Sequence, residues 1–555
     1  MNNIENDIIL TDDQIIIYNN LISFIKEELT NEILLIGYAG TGKTTLVTKF
    51  INDIIKNKLC RKIVIAAPTH KAVNIAKSKL FDNINSNETI SKNINIMTIH
   101  RLLNYQSQID LDGNRYFSRS GVDPVWSIYD LIVIDECSML SNQIISDIDS
   151  QINNNKNSKI KIIYVGDPAQ LPPVNQLNSE IFNKKIKSLT LDKIIRTKNP
   201  EIINLSNDHR KWIFSKKEDD IPQIFNYMCD KINLYSCEDN QTNLWLEKFI
   251  KLLNTNNTNN INNINNINNI NNNIILTWTN KRCNKYNKYV REKIFNKKDL
   301  NHYEIGEILI FNDFHRIEIN TNIINTNIIN SDNDEDNHGN EDNIKKEYIS
   351  FYTSEQIKLV KIKEIKYLFN ILKFKLNNNI PIDINEIFKK SIIKINKLLE
   401  IEIDIYDMNV KKISDIQILS ESNTPIYNIK SICEKSEPIY KRIIEEFELI
   451  VSKLKNKCYE QLNNKKFNNM KKCDIQSEIE KKINKLYKDW QLNVIDIFAQ
   501  LNYGYSITVH KSQGSTFSNV FVDINDILNN NNEDETSKCL YTSITRSSDK
   551  LELLV

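Results

Sequence analysis

Residues 33–45, which read ILLIGYAGTGKTT, restrict the fold of this chain more than any other segment. An apolar run leads into Gly37-Tyr-Ala-Gly-Thr-Gly42-Lys43-Thr44, which satisfies the pattern G-x-x-x-x-G-K-S/T. Glycines let backbone N–H groups converge on phosphate oxygens, and a helix that begins at the turn adds a favourable dipole. The segment therefore predicts a strand, a phosphate loop and a helix, which is an α/β arrangement.

The polar side chains of this loop suit a nucleotide bound together with a divalent cation. We expect Lys43 to place its charge on the β- and γ-phosphates of ATP, and the Thr44 hydroxyl to complete the ligand shell of Mg²⁺. ATP and Mg²⁺ are therefore the expected cofactors. The predicted cradle also contains Gly37, Gly40, Thr41, Gly42 and Thr45.

A pair of acids follows a second apolar run, at residues 131–136, which read LIVIDE. Open α/β sheets place their ligands at the carboxyl ends of the strands, where Asp135 and Glu136 stand. We expect Asp135 to hold Mg²⁺ and Glu136 to act as general base on the attacking water. Adjacent acids at a strand end are often only solvated, but the preceding phosphate loop favours the catalytic interpretation.

Apolar runs at 33–37, 62–68, 131–136 and 161–167 alternate with helical patterns, and similar runs return at 273–280, 505–514 and 519–523. Continuous apolar strands separated by helices predict parallel sheets that are covered on both faces. The residues between 280 and 505 have a different character. We therefore expect two α/β domains, the second of which carries an insertion.

Composition limits the partners and the surroundings of the chain. Lys and Arg number 72 and Asp and Glu 71, so a nucleic acid would have to be met by a local basic groove. Nine scattered cysteines without a CxxC pair do not indicate a zinc ribbon. Neither a signal-peptide pattern nor a run of ~20 apolar residues occurs, so we expect an intracellular, soluble protein without a membrane partner. The Asn-rich runs at 259–273 and 320–330 are expected to be solvated loops.

Further motifs resemble those of superfamily 1 helicases of the RecD/Dda type, which move 5′→3′ on single-stranded DNA. They are APTHKAV (67–73), TIHRLL (98–103), VGDPAQLPPV (165–174), YSITVHKSQGSTF (505–517) and YTSITRSSDKL (541–551). The resemblance is dense over residues 1–200, returns at 273–312 and 500–555, and is weak between. It implies two RecA-like P-loop domains with parallel sheets, at 1–190 and at 191–300 plus 500–555.

The resemblance also implies roles for residues around the nucleotide. Gln14 matches the glutamine that reads adenine, and Gln170 the one that senses the γ-phosphate. Arg196 and Arg546 match two arginines that reach from the second domain and stabilise charge on the transferred phosphoryl group. Candidate contacts to the DNA backbone are Thr69, His70, His100, Thr508 and His510.

Two insertions are predicted. The first, at 104–127, contains QIDLDGNRYFSR (108–119), which predicts a β-hairpin with a type I′ turn at Asp112-Gly113. Tyr116 or Phe117 is expected to stack on the last base pair at a fork, although packing onto the hairpin's own domain is equally consistent. The second insertion, at 301–499, is expected to combine an SH3-like module with helices.

The expected function is that of an ATP-dependent DNA helicase with single-stranded DNA and forked or tailed duplexes as partners. An RNA helicase of the same superfamily is one alternative. A nucleic-acid-stimulated ATPase that does not unwind duplexes is another.

Overall fold

The computed structural model describes residues 9–27, 30–81, 93–109, 115–119, 126–154, 160–173, 176, 178–195, 197, 199–237, 241–258, 273–319, 347–377, 379–419, 423–464 and 469–555. The chain divides into two compact units. The first contains Met1–Gln106, Arg119–Asp299 and Tyr503–Val555, and the second contains Ser107–Ser118 and Leu300–Asn502. Within the first unit, we call residues up to 191 the first lobe, and residues 199–299 with 503–555 the second lobe.

The strands are, in chain order, β1 (Glu32–Gly37), β2 (Ile63–Ala67), β3 (Ile94–Thr98), β4 (Tyr105–Ile109), β5 (Arg115–Arg119), β6 (Leu131–Ile134), β7 (Lys161–Gly166), β8 (Lys187–Leu191), β9 (Ile232–Tyr235), β10 (Asn273–Thr277), β11 (Ile308–Phe311), β12 (His315–Ile319), β13 (Glu347–Phe351), β14 (Gln356–Tyr367), β15 (Ile403–Lys412), β16 (Tyr427–Ile432), β17 (Leu501–Tyr503), β18 (Ser506–Thr508), β19 (Phe517–Asp523) and β20 (Ser547–Leu554).

The α-helices are α1 (Asp12–Lys26), α2 (Lys43–Lys56), α3 (His70–Phe81), α4 (Ile99–Leu102), α5 (Asn142–Asn154), α6 (Pro200–Ser215), α7 (Thr242–Thr258), α8 (Asn280–Ile294), α9 (Ile382–Leu399), α10 (Ile413–Leu419), α11 (Glu437–Asn464), α12 (Asn469–Trp490), α13 (Ile524–Leu528) and α14 (Glu533–Ile544). Short 3₁₀ turns that bear on the site are Cys137–Met139 and His510–Ser512. No helix in the described part of the chain combines the length and apolar character that a membrane crossing needs.

The first lobe is built on a six-stranded sheet in the order β3-β2-β6-β7-β1-β8, in which neighbouring strands run parallel. Alternate side chains of β1 enter opposite cores: Ile33 and Leu35 pack with α1 and α2, whereas Leu34 packs on the other face. Successive side chains of a strand point to opposite faces, so a continuous apolar strand needs cover on both.

The second lobe repeats this plan with a five-stranded parallel sheet in the order β18-β10-β19-β20-β9. The predicted fold class is thereby confirmed: two α/β lobes with parallel sheets. The strands that form the sheet of the second lobe come from both sides of the long insertion. The predicted domain boundaries themselves stay a prediction.

The second unit contains a five-stranded sheet in the order β16-β15-β14-β11-β17 and a separate pair, β12 and β13. Helices α9, α11 and α12 share a core that includes Phe388, Phe447 and Trp490. The unit therefore combines a β module with helices, while its SH3-like character stays a prediction. The strands β4 and β5 form a two-stranded sheet, as expected of a hairpin. The predicted turn at 112–113 and the Asn-rich runs at 259–272 and 320–330 lie outside the described residues.

Candidate nucleotide site

Two glycines set the shape of the phosphate loop, residues 37–45, between β1 and α2. Gly40 (φ 83°) and Gly42 (φ 79°) lie in the left-handed region, which residues with a Cβ adopt only with strain. A Cβ at Gly42 would lie 2.6 Å from Nε2 of Gln14 and 2.7 Å from Cδ1 of Ile195. The backbone angle therefore favours glycine at this position, and a larger residue would also have to displace the ends of the two side chains.

Lys43 begins α2 and folds over the loop. Its Nζ donates to the carbonyl oxygen of Gly37 and, at 3.1 Å, to that of Tyr38. The side chain passes so close to Gly37 that a Cβ there would collide with it. The remaining hydroxyl residues of the predicted cradle lie in the same turn: Thr41, which is buried, and Thr44 and Thr45, which are half-buried.

The two predicted carboxylates follow β6. The backbone N–H of Glu136 donates to Oδ1 of Asp135 at 2.9 Å, and both residues are half-buried. Glu136 has φ 51°, a left-handed conformation that costs a residue with a side chain about 1–3 kcal/mol. Strain of this kind persists only where the surroundings impose it, and it concentrates at functional sites.

The loop after β7 places Gln170 beside a buried carboxylate. Asp167 is fully buried and accepts hydrogen bonds from the backbone N–H of Ala169 at 3.0 Å and from Nε2 of Gln170 at 3.2 Å. Because β7 lies between β1 and β6, this loop stands between the phosphate loop and the two acids. The predicted γ-phosphate sensor is therefore held next to the nucleotide cradle.

The second lobe reaches this region through a tyrosine that the sequence analysis did not single out. Tyr541 on α14 is fully buried, and its hydroxyl donates to Oδ2 of Asp167 at 3.1 Å. The hydroxyl oxygen of Tyr541 also accepts a hydrogen bond from the backbone N–H of Ala39, in the phosphate loop, at 3.1 Å. Gln513 adds a second bridge, since its Nε2 donates to the carbonyl oxygen of Leu171 at 3.2 Å.

Arg210 on α6 is a further second-lobe residue that the sequence analysis missed. Its guanidinium carbon lies 3.8 Å from the ring centroid of Tyr38 in the phosphate loop. Within the described part of the chain, the buried NH1 of Arg210 has no hydrogen-bond partner. A cation held beside a phosphate loop with an unsatisfied donor fits an anionic ligand.

Of the two predicted arginines, Arg546 lies within the described residues and Arg196 does not. Arg546 is fully buried and its guanidinium donates to the carbonyl oxygens of Thr542, at 3.0 Å, and Ser515, at 3.3 Å. These contacts lie within the second lobe. Arg196 lies outside the described residues. The reach of both arginines to a phosphate therefore stays a prediction.

The residues present fit ATP with Mg²⁺. Backbone N–H groups of a glycine-rich turn can converge on phosphate oxygens, and Lys43 supplies a cation in the same loop. A carboxylate and a hydroxyl, from Asp135 and Thr44, are the oxygen donors that Mg²⁺ prefers.

Comparison with known proteins places these elements in families. Residues 23–176 match the AAA domain family, and residues 503–554 match the UvrD-like helicase C-terminal domain. The chain is 34% identical to the RecBCD enzyme subunit RecD of Buchnera aphidicola subsp. Schizaphis graminum over 175 residues. This alignment covers 28% of this chain and 27% of RecD. It is 26% identical to the ATP-dependent DNA helicase dda of Enterobacteria phage T4 over 313 residues. This alignment covers 55% of this chain and 61% of dda.

The chain belongs to the superfamily 1 helicases of the RecD/Dda type.

A full-length relative is the uncharacterized protein R530 of Acanthamoeba polyphaga mimivirus. It is 30% identical over 551 residues, covering 97% of this helicase chain and 98% of R530, so the two proteins belong to one family. Among solved structures, a Pif1 helicase from a study of DNA unwinding at forked dsDNA by two coordinating Pif1 helicases aligns over 98% of this chain and 92% of its own chain. The identity is 15% and the TM-score 0.43.

In this superfamily 1 chain, Gln14 braces the phosphate loop. Its Oε1 accepts the backbone N–H of Thr11 at 3.0 Å, which completes a capping box at the start of α1. Its Nε2 donates to the carbonyl oxygen of Thr41 at 3.1 Å. The amide thus links the first helix of the helicase to the loop, while adenine reading stays a prediction.

The candidate DNA-contacting residues follow the carboxyl ends of β-strands at one edge of each sheet. In the first lobe, Thr69 and His70 follow β2 and His100 follows β3, which is the edge strand. In the second lobe, Thr508 ends the edge strand β18 and His510 follows it. Because β2 and β3 are neighbours, the three residues of the first lobe follow adjacent strand ends.

Two of these histidines differ from ordinary surface histidines. Burial lowers the pKa of His100, and burial lowers the pKa of His510 against the opposing effect of Glu535. Burial therefore disfavours the charged form of both imidazoles. Thr69 is partly committed already, since its Oγ1 accepts the N–H of Ala72 at the start of α3.

Proposed function

We propose that this chain is an ATP-driven motor that moves 5′→3′ along single-stranded DNA and unwinds forked or tailed duplexes. The observation that carries the proposal is that the phosphate loop touches the second lobe, through Tyr541 and Arg210. A nucleotide on that loop acts where the two lobes meet, so a change in its phosphates can change how the lobes are held. The relatives RecD and dda support DNA as the track.

The chemistry follows from the residues around the loop. Lys43 and the loop N–H groups bind the phosphates, and Asp135 with Thr44 would hold Mg²⁺, which supplies positive charge to the phosphate oxygens. Glu136 accepts the proton of the attacking water. Gln170 senses the γ-phosphate, and Arg196 and Arg546 stabilise the charge that develops on it.

Movement requires that each lobe hold the strand separately. We place Thr69, His70 and His100 on the strand in the first lobe, and Thr508 and His510 in the second. Contacts of these kinds to phosphates position a strand without reading its sequence. If the lobes close on ATP and open after hydrolysis, alternating grip gives a directed step. Tyr116 and Phe117, whose side chains lie outside the described residues, are proposed to form the wedge at the fork.

The polarity and the track can be tested by strand displacement. Duplexes with a 5′ tail or a 3′ tail are prepared in DNA and in RNA, and unwinding is followed with ATP and Mg²⁺. We expect unwinding of the 5′-tailed DNA duplex. Activity confined to 3′-tailed substrates would contradict the polarity, and a preference for RNA would favour the RNA helicase. Strand-stimulated ATP hydrolysis without displacement would favour a non-unwinding ATPase.

The catalytic assignment predicts how Glu136→Gln and Lys43→Ala behave. Glu136→Gln should lower kcat for ATP by at least about 100-fold, because the general base is lost, yet still bind ATP. Lys43→Ala should abolish turnover. Glu533→Gln, an exposed acid in the first turn of α14, is the matched control and should hydrolyse ATP at the wild-type rate. Turnover retained by Lys43→Ala would exclude this site.

A further inference from the structure

We infer that Tyr541 is a positioning residue that couples the γ-phosphate sensor to the grip on DNA, through its bond to Asp167. The inference rests on the proposed function, because it concerns how the ATP site of a motor communicates with the strand. Tyr541 contacts the first lobe at two loops that are far apart in sequence, those of Ala39 and Asp167.

A continuous chain of hydrogen bonds passes through this hydroxyl. The N–H of Ala39 donates to the Tyr541 oxygen, and the Tyr541 hydroxyl donates to Oδ2 of Asp167. Oδ2 also accepts Nε2 of Gln170 at 3.2 Å. One carboxylate oxygen therefore serves both the proposed sensor and the second-lobe tyrosine, so a change in one bond alters the other.

The surroundings keep this chain intact. Ala39, Ala169, Ile213 and Tyr541 form one apolar cluster, which excludes water from the hydroxyl. Burial raises the pKa of Tyr541 well above its usual value, so the hydroxyl remains protonated and continues to donate. A hydrogen bond to a charged acceptor in a buried place is stronger than one at the surface.

A signal from the nucleotide would then travel as follows. When the amide of Gln170 turns to a γ-phosphate, it gives up its bond to Asp167. Oδ2 of Asp167 is left with fewer donors, and the bond from Tyr541 becomes the main one that it accepts from a side chain. The second lobe, which carries Thr508 and His510, is thereby held more firmly by the first when ATP is bound. Without the hydroxyl, this link between ATP and strand binding is lost.

The test is a linkage measurement on Tyr541→Phe, which keeps the ring in the apolar cluster and removes only the hydroxyl. The Kd for a fluorescent oligothymidylate is measured with and without the non-hydrolysable analogue adenylyl imidodiphosphate with Mg²⁺. We expect the analogue to change the wild-type Kd by about fivefold or more, the lower range of typical couplings. In Tyr541→Phe the change should fall to less than about half of the wild-type factor.

Tyr286→Phe is the matched control. Tyr286 is a buried tyrosine of the same lobe, and its hydroxyl donates to Oδ2 of Asp523 at 2.5 Å, away from the phosphate loop. A structural loss would affect both variants alike, whereas we expect only Tyr541→Phe to lose the coupling. Asp167→Asn, which keeps the shape of the acceptor, should reduce the coupling too and provides a second test if Tyr541→Phe unfolds.

Failure of the inference and failure of the proposed function give different results. If the wild type couples analogue and strand and Tyr541→Phe couples them equally, Tyr541 does not relay the signal and the motor proposal stands. If the wild type hydrolyses no ATP, or its Kd for the strand ignores the analogue, both proposals are wrong.

Discussion

At the scale of single residues, the contact between Arg210 and Tyr38 joins the second lobe to the middle of the phosphate loop. The guanidinium lies 3.8 Å from the ring centroid, a geometry in which a cation and an aromatic face attract by about 0.5–2 kcal/mol. The Tyr38 ring also meets Phe214 edge-on, so α6 holds this ring from two sides. Tyr38 is thereby restrained before any nucleotide arrives.

We predict that Arg210→Ala raises the KM for ATP by about three- to tenfold, because the loss of a contact of that energy frees Tyr38 and the loop. The KM of Arg210→Lys should lie between those of the wild type and Arg210→Ala, since an ammonium keeps the charge but not the flat stack. Steady-state ATP hydrolysis measures both. Arg291→Lys is the control. The guanidinium carbon of Arg291 lies 3.9 Å from the ring centroid of Tyr503, and the KM of this variant for ATP should remain that of the wild type. An unchanged KM in Arg210→Ala would show that the stack does not serve the loop.

At the scale of secondary structure, the junction between β1 and α2 depends on glycine for two separable reasons. Gly42 needs a left-handed backbone, and it also needs empty space where Gln14 and Ile195 approach. Gly306 in the second unit shares only the first requirement, because its φ is 87° and no atom of the described residues would lie within 4 Å of an added Cβ. The pair therefore separates backbone strain from crowding at the phosphate loop.

We predict that Gly42→Ala weakens nucleotide binding by at least tenfold, whereas Gly306→Ala leaves it unchanged. Both should lose about 1–2 kcal/mol of stability from backbone strain, and Gly42→Ala should lose more because the new methyl displaces Gln14 and Ile195. Titration with a fluorescent nucleotide measures binding, and urea unfolding measures stability. Equal nucleotide affinity in Gly42→Ala and the wild type would contradict the proposed cradle.

At the scale of the whole molecule, each unit buries a histidine that cannot readily accept a proton. Burial lowers the pKa of His209, on α6 in the first unit, to about 4, and burial lowers that of His315, on β12 in the second unit, to about 4. Unfolding returns each imidazole to about 6.5. Between these values the unfolded chain binds protons that the folded chain does not, so the contribution of each histidine to stability is fully present above pH 6.5 and falls as the pH drops towards 4.

We predict that the wild type loses up to about 3 kcal/mol per histidine across that window, from a shift of this size at 1.36 kcal/mol per pH unit. His209→Phe and His315→Phe should each flatten the fall in melting temperature between pH 7.5 and pH 5, as calorimetry would record. His70→Asn, at an exposed position, should keep the wild-type slope. If the melting temperatures of His209→Phe and His315→Phe fall between pH 7.5 and pH 5 as much as that of the wild type, the buried histidines do not govern acid stability.

Much of the fold and of the nucleotide site follows from local sequence. The runs ILLIG, LIVIDE and KIIYVGD are apolar at consecutive positions, so both of their faces require cover, and they form β1, β6 and β7 of a parallel sheet. The phosphate loop depends on backbone angles that only glycine adopts freely, and these are a property of the residue itself. Lys43, Asp135, Glu136 and Gln170 could therefore be predicted as site residues from short strings.

Only the tertiary structure showed what faces that site from the second lobe. Tyr541 and Ala39 are separated by 502 positions, and no local pattern relates the N–H of one to the hydroxyl of the other. Arg210 stands in an ordinary helix, where an arginine is usually solvated, until α6 packs beside Tyr38. The contacts of Arg546 to Thr542 and Ser515, within its own lobe, are likewise visible only in the structure. Sequence thus determined the elements and the loop that binds phosphate, because these depend on neighbouring residues. The contacts between the lobes depend on packing across the whole chain, so the structure alone decided them.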